Sequence, residues 1–279
     1  MKLGFIGCGN MATAIIKGIV SNGILDAGEI IASCKTAASR EKAKASLGIQ
    51  MAESNREVVE KSKVFVLAVK PQFFEEVIAE IKDIVRDDQL IITLAPGKTL
   101  AWLEEKFGKP LKIVRTMPNT PAMVQEGMTA ACPNAYVTED DMAYVTRILE
   151  GCGAVEVVPE RLIDAVVAVS GSSPAYIYML IEAMADAAVA EGMPRKQAYT
   201  FAAKAVMGSA KMVLETGKHP GELKDMVCSP GGTTIEAVKV LEETGFRGSV
   251  MQAMEVCAEK SRNMFLPHHP SPFSLYLDL

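Results

Sequence analysis

Over roughly the first 160 residues, short apolar runs alternate with stretches whose apolar side chains recur every three to four positions. Leu3-Gly4-Phe5-Ile6 predicts a strand. It leads through Gly7-Cys8-Gly9-Asn10 into a helix that gathers Met11, Ile15, Ile16 and Ile19 on one face. Glu29–Ser33 predicts a second strand, and residues 37–47 a helix stopped by Gly48. Val64–Val69 is wholly apolar, as a parallel strand covered on both faces requires. Pro71 opens another helix, and Leu90–Ala95, Leu111–Thr116 and Ala154–Val158 supply further strands. Strands alternating with helices predict an α/β domain with a mainly parallel sheet.

The period changes after about residue 160, and no further strand pattern follows. Ser173-Pro174 reads as the cap and first position of a helix running to about Glu191, where Gly192 stops it. Pro194 opens a second helix that ends near Thr216, before Gly217. Pro220 opens a third, Thr233 or Thr234 a fourth, and Arg247 a fifth that ends near Met264. Small residues such as Ala183, Ala187, Ala203 and Gly208 allow close helix–helix contact, within one chain or between two. The expected organisation is therefore an α/β domain over 1–162, an all-α domain over 163–264, and an extended tail over 265–279 carrying Pro267, Pro270 and Pro272.

Composition narrows the classes. The 279 residues suit two domains of roughly 150 each. With 49% hydrophobic and 23% charged residues, disorder and collagen-like structure are excluded. A net charge of −5 without a Lys/Arg run offers no nucleic-acid footprint. The longest apolar runs fall short of the roughly 18 residues of a membrane span, so no membrane partner is expected. Gly7, Gly9, Asn10 and Thr13 interrupt the apolar start, which reads as strand and helix rather than a signal peptide. Six cysteines without C-x-x-C spacing carry no zinc or dithiol motif, and fit small buried hydrophobes in a reducing cytoplasm. Of three histidines, only His219 precedes the tail, so chemistry built on a His base or several His ligands is not expected.

The turn Gly7-x-Gly9-x-x-Ala12, between a strand and a helix, is a dinucleotide-binding fingerprint in its proper context. Gly7 permits the tight turn, Gly9 lets backbone approach a pyrophosphate, and Ala12 keeps helix and strand close. Free N–H groups and the positive dipole end of the helix favour the phosphates. The domain is thus Rossmann-type. An NAD site usually ends its second strand on Asp or Glu. Here Ser33-Cys34-Lys35-Thr36 stands instead. Lys35 and two hydroxyls suit a 2′-phosphate, favouring NADP over NAD, unless Lys35 is an ordinary solvated lysine. Asn55 is a further candidate for the adenosine ribose.

In the second half, Cys228-Ser229-Pro230-Gly231-Gly232-Thr233-Thr234 precedes a helix. Two glycines and two threonines there form either a nest of N–H groups for a carboxylate or phosphate, or a plain capping loop. Ser170-Gly171-Ser172-Ser173-Pro174-Ala175-Tyr176 is another small-residue loop opening a helix. Together with Gly4–Ala12, Ala68-Val69-Lys70-Pro71, Arg115-Thr116-Met117-Pro118-Asn119-Thr120-Pro121 and Leu223-Lys224-Asp225 through Thr234, these segments resemble the pyrroline-5-carboxylate reductase family. They follow the family's order from residue 1 to about 264.

The resemblance implies a Rossmann domain followed by an all-α dimerisation domain, an interlocked homodimer often assembled into a decamer, and NAD(P)H-dependent reduction of 1-pyrroline-5-carboxylate to L-proline without a metal. It assigns Ile6, Gly7, Cys8, Gly9, Asn10 and Met11 to the pyrophosphate, and Ser33, Cys34, Lys35, Thr36 and Asn55 to the adenosine ribose. Ala68, Val69, Lys70 and Pro71, with Leu94, Ala95 and Pro96, would line the nicotinamide side. Ser229, Gly231, Gly232 and Thr233 would hold the substrate carboxylate, and Thr234 would hydrogen-bond the imine nitrogen as the catalytic hydroxyl. Lys70 is a second candidate proton donor, with lining the coenzyme pocket as its plainer role. Met226 departs from members that carry Asn at a substrate contact. Two other readings compete. A β-hydroxyacid dehydrogenase would need a catalytic lysine on the helical domain, for which Lys204 and Lys211 lack a matching motif. A non-catalytic NADP-sensing protein would bind coenzyme and turn nothing over.

Overall fold

Alternation with a period of two decides which side of the sheet each strand residue faces. In β1 (Leu3–Ile6), Leu3 and Phe5 enter one apolar layer and Ile6 the other. Likewise Ile30 and Ala32 of β2 (Ile30–Ser33) face one way and Ile31 the other. In β4 (Val64–Leu67), Val64 and Val66 oppose Phe65 and Leu67. A strand buried on both faces has no polar side to show, which is why its sequence is continuously apolar.

Helices supply the two covers. α1 (Asn10–Ser21) lays Ile15, Ile16 and Ile19 on the first face, beside Ala43 and Leu47 of α2 (Ala37–Leu47). The opposite face is covered by α3 (Asn55–Lys61), α4 (Phe74–Ile81) and α5 (Leu100–Phe107) through Val58, Phe74, Ile78, Leu103 and Phe107. α6 (Glu139–Leu149) returns to the first face with Val145, Ile148 and Leu149. With β3 (Gln50–Ala52), β5 (Leu90–Thr93), β6 (Lys112–Met117), β7 (Gly127–Pro133) and β8 (Gly153–Val157), the sheet has eight strands in the order β3-β2-β1-β4-β5-β6-β7-β8.

The computed structural model describes residues 2–94 and 97–263. The chain divides into two compact units. One runs to Gly171 and resumes from Cys257, and the other is Ser172–Val256. The junction expected at 162/163 falls inside the first unit, and the tail 265–279 lies outside the described residues.

Three expectations need correction. Strands expected to reach Val69 and Ala95 end at Leu67 and Thr93, where the ladder gives way to loops. β7 was not expected: Gly127-Met128-Thr129-Ala130-Ala131-Cys132-Pro133 is too small and too evenly apolar to show a period. It runs antiparallel to β6, because only residues 118–126, with the turn Thr120–Val124 among them, separate the two and leave no room for a crossover. Ser173 is not a cap. α7 (Ile163–Val166) passes into a π-helical turn, Val167–Gly171, so Ser172 before α8 (Ser173–Ala190) is already helical and its side chain caps nothing.

The second unit is helical: α8, α9 (Arg195–Thr216), α10 (Pro220–Val227), α11 (Thr233–Glu243) and α12 (Phe246–Asn263), the last ending with the first unit. Its fully buried residues are small, namely Ala185, Ala198 and Ala202. Large apolar side chains such as Met179, Phe201, Leu214 and Met251 stay more than 60% exposed. By length and composition, Glu160–Ala190 is also apolar enough to cross a membrane. Apolar surface on this scale calls for a covering partner.

One ion pair ties distant parts of the first unit. Arg115 of β6 is 5% exposed, and its Nη1 lies 2.7 Å from Glu160 Oε1, which also accepts the Leu100 N–H at 2.8 Å. Glu160→Ala would strand that cation and the first amide of α5. We expect an unfolding free energy lower by about 3 kcal/mol, read from urea denaturation, whereas an unchanged midpoint would show that the pair is dispensable.

Candidate functional site

From β1 the chain winds outward to β2 and β3, then crosses back to β4 on the other side of β1. That reversal opens a crevice beyond the carboxyl ends of β1 and β4, where ligands of doubly wound sheets bind. The ends are drawn together by backbone: Gly7 N–H donates to Ser33 O at 3.2 Å, Ala68 N–H to Ile6 O at 2.9 Å, and Leu94 N–H to Leu67 O at 3.1 Å.

Gly7 has φ +93°, and a Cβ there would stand 3.0 Å from both Ala68 O and Val69 Cγ1. Only glycine combines this conformation with this approach. Gly9 is the converse: it is exposed, and a Cβ would meet nothing within 4 Å. It stands at the start of α1, which has neither a side-chain cap nor an acidic residue in its first turn. The first helical N–H groups are therefore left for a ligand, and the empty volume at Gly9 admits backbone contact with a pyrophosphate. The residues fit the diphosphate of a dinucleotide. Asn10 and Met11 follow in the same turn, and Cys8 lies against Cys34. Burial pushes the Cys8 thiol up to about 11 and raises Cys34 as well, so neither is a thiolate nucleophile.

At the end of β2 the expected ribose group is already linked. Ser33 Oγ donates to Asn55 Oδ1 at 2.7 Å, and Asn55 Nδ2 donates to Glu80 Oε2 at 2.7 Å. Ser33 is 3% exposed, so its hydroxyl orients Asn55 rather than facing the crevice mouth. Thr36 caps α2 by accepting from Ser39 N–H at 3.2 Å. Lys35 is exposed, with its Nζ 4.8 Å from the centre of the Phe73 ring. Glu80 and Phe73, both from the α4 side, and Arg40, held by Glu53 at 3.2 Å, are additions that sequence spacing did not reveal. No motif connects residues so far apart.

On the nicotinamide side, Ala68 and Val69 are half-buried, and Lys70 is exposed at the start of the turn Pro71–Phe73. Leu94 is half-buried, while Ala95 and Pro96 lie outside the described residues. Asn119 of the Arg115–Pro121 segment is 9% exposed. It donates to Ser170 O at 3.1 Å and accepts from Met128 N–H at 2.9 Å, pinning the π-helical turn to the sheet.

The second unit holds the other candidate segment. Ser229-Pro230-Gly231-Gly232 is a β-turn closed by Gly232 N–H to Ser229 O at 3.0 Å, with Gly231 at φ +65°. Gly232 then starts α11 without a side-chain cap. Thr233 is exposed and Thr234 half-buried, and among the described residues the Thr234 hydroxyl has no hydrogen-bond partner. A second uncapped helix start, with a hydroxyl beside it, is suited to an anion that also carries a hydrogen-bonding group. Met226 is 63% exposed, and Lys204 and Lys211 are exposed on α9.

Comparisons with known proteins agree with both halves. The pyrroline-5-carboxylate reductase dimerisation family matches residues 160–264, and the family of coenzyme F420-dependent NADP oxidoreductases matches residues 2–97. The pyrroline-5-carboxylate reductase of Escherichia coli (strain K12) is 54% identical, covering 94% of this chain and 98% of that protein. A solved pyrroline-5-carboxylate reductase from Coxiella burnetii superposes with a TM-score of 0.89 at 35% identity, covering 94% of this chain and 98% of its own. The Plasmodium falciparum pyrroline carboxylate reductase, solved with NADP bound, gives a TM-score of 0.85 at 33% identity, covering 95% and 98%.

The two glycines make separable predictions. Gly7→Ala should destabilise the chain by more than about 1 kcal/mol, seen as an earlier unfolding midpoint. Gly9→Ala should leave the melting temperature near the parent value, yet weaken NADPH by at least about 10-fold in calorimetric titration, because its methyl occupies the space for the diphosphate. Unimpaired NADPH binding by Gly9→Ala would move the diphosphate elsewhere.

Proposed function

The chain belongs to the pyrroline-5-carboxylate reductase family, and we propose that it reduces the C=N bond of 1-pyrroline-5-carboxylate to L-proline with NADPH. The observation that carries the reading is the pair of uncapped helix starts, Gly9 before α1 and Gly232 before α11, one suited to a diphosphate and the other to a carboxylate beside a hydroxyl. When bound, the reduced nicotinamide supplies the hydride to the imine carbon. The ring nitrogen, bound already protonated as the iminium, takes the π-electron pair of C=N as the carbon gains the hydride, which gives the neutral secondary amine without a further proton donor.

The protein's part is to hold and orient. The N–H groups of Gly231 and Thr233 bind the substrate carboxylate, while the Gly232 N–H closes the turn on Ser229 O. Thr234 Oγ1 hydrogen-bonds the ring nitrogen, fixing the ring face and steadying charge as it moves to nitrogen. Ala68 to Pro71 and Leu94 line the nicotinamide, and Lys70 serves that wall rather than proton transfer. Most of the rate comes from keeping donor and acceptor carbons in register.

The chain is a homo-oligomer. Its helical unit matches the dimerisation family and leaves large apolar side chains on its surface. The working unit is a homodimer, and decamers would be built from such dimers. Six cysteines without C-x-x-C spacing suit the reducing cytoplasm.

The purified protein should oxidise NADPH on addition of 1-pyrroline-5-carboxylate, followed by loss of nicotinamide absorbance. No turnover with either NADPH or NADH would overturn the assignment. Thr234→Ala should lower kcat/KM at least ~10-fold, the loss of one useful hydrogen bond at ~1.4 kcal/mol. An unchanged kcat/KM would remove the hydroxyl from the mechanism.

A further inference from the structure

The residues left around the end of β2 point to a further recognition element. We propose that Phe73 and Lys35 form a clamp for the adenosine end of the coenzyme, in which the Phe73 ring stacks the adenine and Lys35 leaves that ring to bind the 2′-phosphate. The proposal rests on the NADPH reading above and extends it to a residue that no motif marks.

Position comes first. Lys35 follows β2 and Phe73 ends the turn after β4, and these two strands flank β1 in the sheet. The residues therefore stand on opposite walls of the crevice, and the contact from Lys35 Nζ to the ring centre, at 4.8 Å, bridges it.

Phe73 is also not spent on folding. It is half-buried and belongs to neither apolar layer of the sheet, whereas its neighbour Phe74 is 0% exposed and packs beneath β4 and β5. An aromatic ring at the mouth of a nucleotide crevice, without a place in the core, is suited to a flat ligand. Any base offers a π-face to such a ring.

Charge favours the same ligand. Ser33 and Asn55 are linked to each other and to Glu80, and Arg40 is held by Glu53, so each has a partner already. Lys35 is in no ion pair among the described residues, and its Nζ lies over the ring. A cation over a half-buried ring is held weakly beside the charge-assisted bond that a phosphate dianion offers it. The same movement uncovers the ring for adenine, so both contacts form together.

The test uses the intact oligomer and calorimetric titration with NADPH, NADH and 2′,5′-ADP, which carries the adenosine end without nicotinamide. Phe73→Ala should raise the Kd of all three by about 5-fold or more, the loss expected of one base–aromatic stack. Phe73→Leu keeps apolar volume without the π-face and should lose as much, and Phe73→Tyr should bind within about 2-fold of the parent. Lys35→Ala should raise the Kd of NADPH and 2′,5′-ADP by at least about 10-fold while changing NADH by less than about 2-fold. Parent-like binding of 2′,5′-ADP by Phe73→Ala or Phe73→Leu overturns the stack. Equal losses for NADH and NADPH in Lys35→Ala overturn the phosphate contact. In either case normal NADPH binding by the parent leaves the coenzyme reading standing. A parent protein that binds none of the three ligands overturns that reading and the clamp with it.

Discussion

Gly7 lies against the Ala68 carbonyl, and the rest of the coenzyme half depends on that approach. A Cβ 3.0 Å from this oxygen, on a residue at φ +93°, would push α1 away from β4. With the hydrogen atom in its place, β1 turns sharply and α1 starts immediately above the strand ends. The same turn presents Gly9 outward with nothing near it, so one residue is forced by crowding and its near neighbour by emptiness. The order β2-β1-β4 then places Ser33, Gly7 and Ala68 side by side at the crevice floor.

The helical unit answers a different constraint. A helix pair whose buried residues are Ala185, Ala198 and Ala202 brings backbones close but removes little apolar surface from water. Met179, Phe201, Leu214 and Met251 remain outside. The match of this half to a dimerisation family accords with so much apolar surface outside the unit's own core. Arg115 and Glu160, by contrast, belong to a unit with two apolar layers of its own, and there the ion pair registers parts of one chain: β6, the start of α5 and the turn before α7.

The site was legible where a single local segment makes it. Gly7, Gly9 and Ala12 declare themselves because a tight turn between strand and helix needs those residue types in that spacing. Ser229 to Thr234 is legible for the same reason, with Pro230 and Gly231 forming a turn and Thr233 opening a helix. Ser33 and Asn55 were assigned to the ribose, but nothing local shows that the hydroxyl of one is satisfied by the amide of the other, or that Glu80 holds the far side. Nothing local separates Phe73 from Phe74 in the run that Pro71 opens, and it is the fold that buries Phe74 and leaves Phe73 outside both apolar layers.

By itself, then, the sequence determined the alternation of strands and helices, the change to an all-helical second half, the glycine turn before α1 and the turn before α11, because each is a periodicity or a turn that one stretch of chain expresses alone. The tertiary structure decided the antiparallel β7, the shared helical run through Val167–Gly171, the chain of bonds from Ser33 to Glu80, and the meeting of Lys35 with Phe73. Those depend on which side of β1 each strand is laid down, and that choice follows from burying two faces of one sheet at once rather than from any local preference.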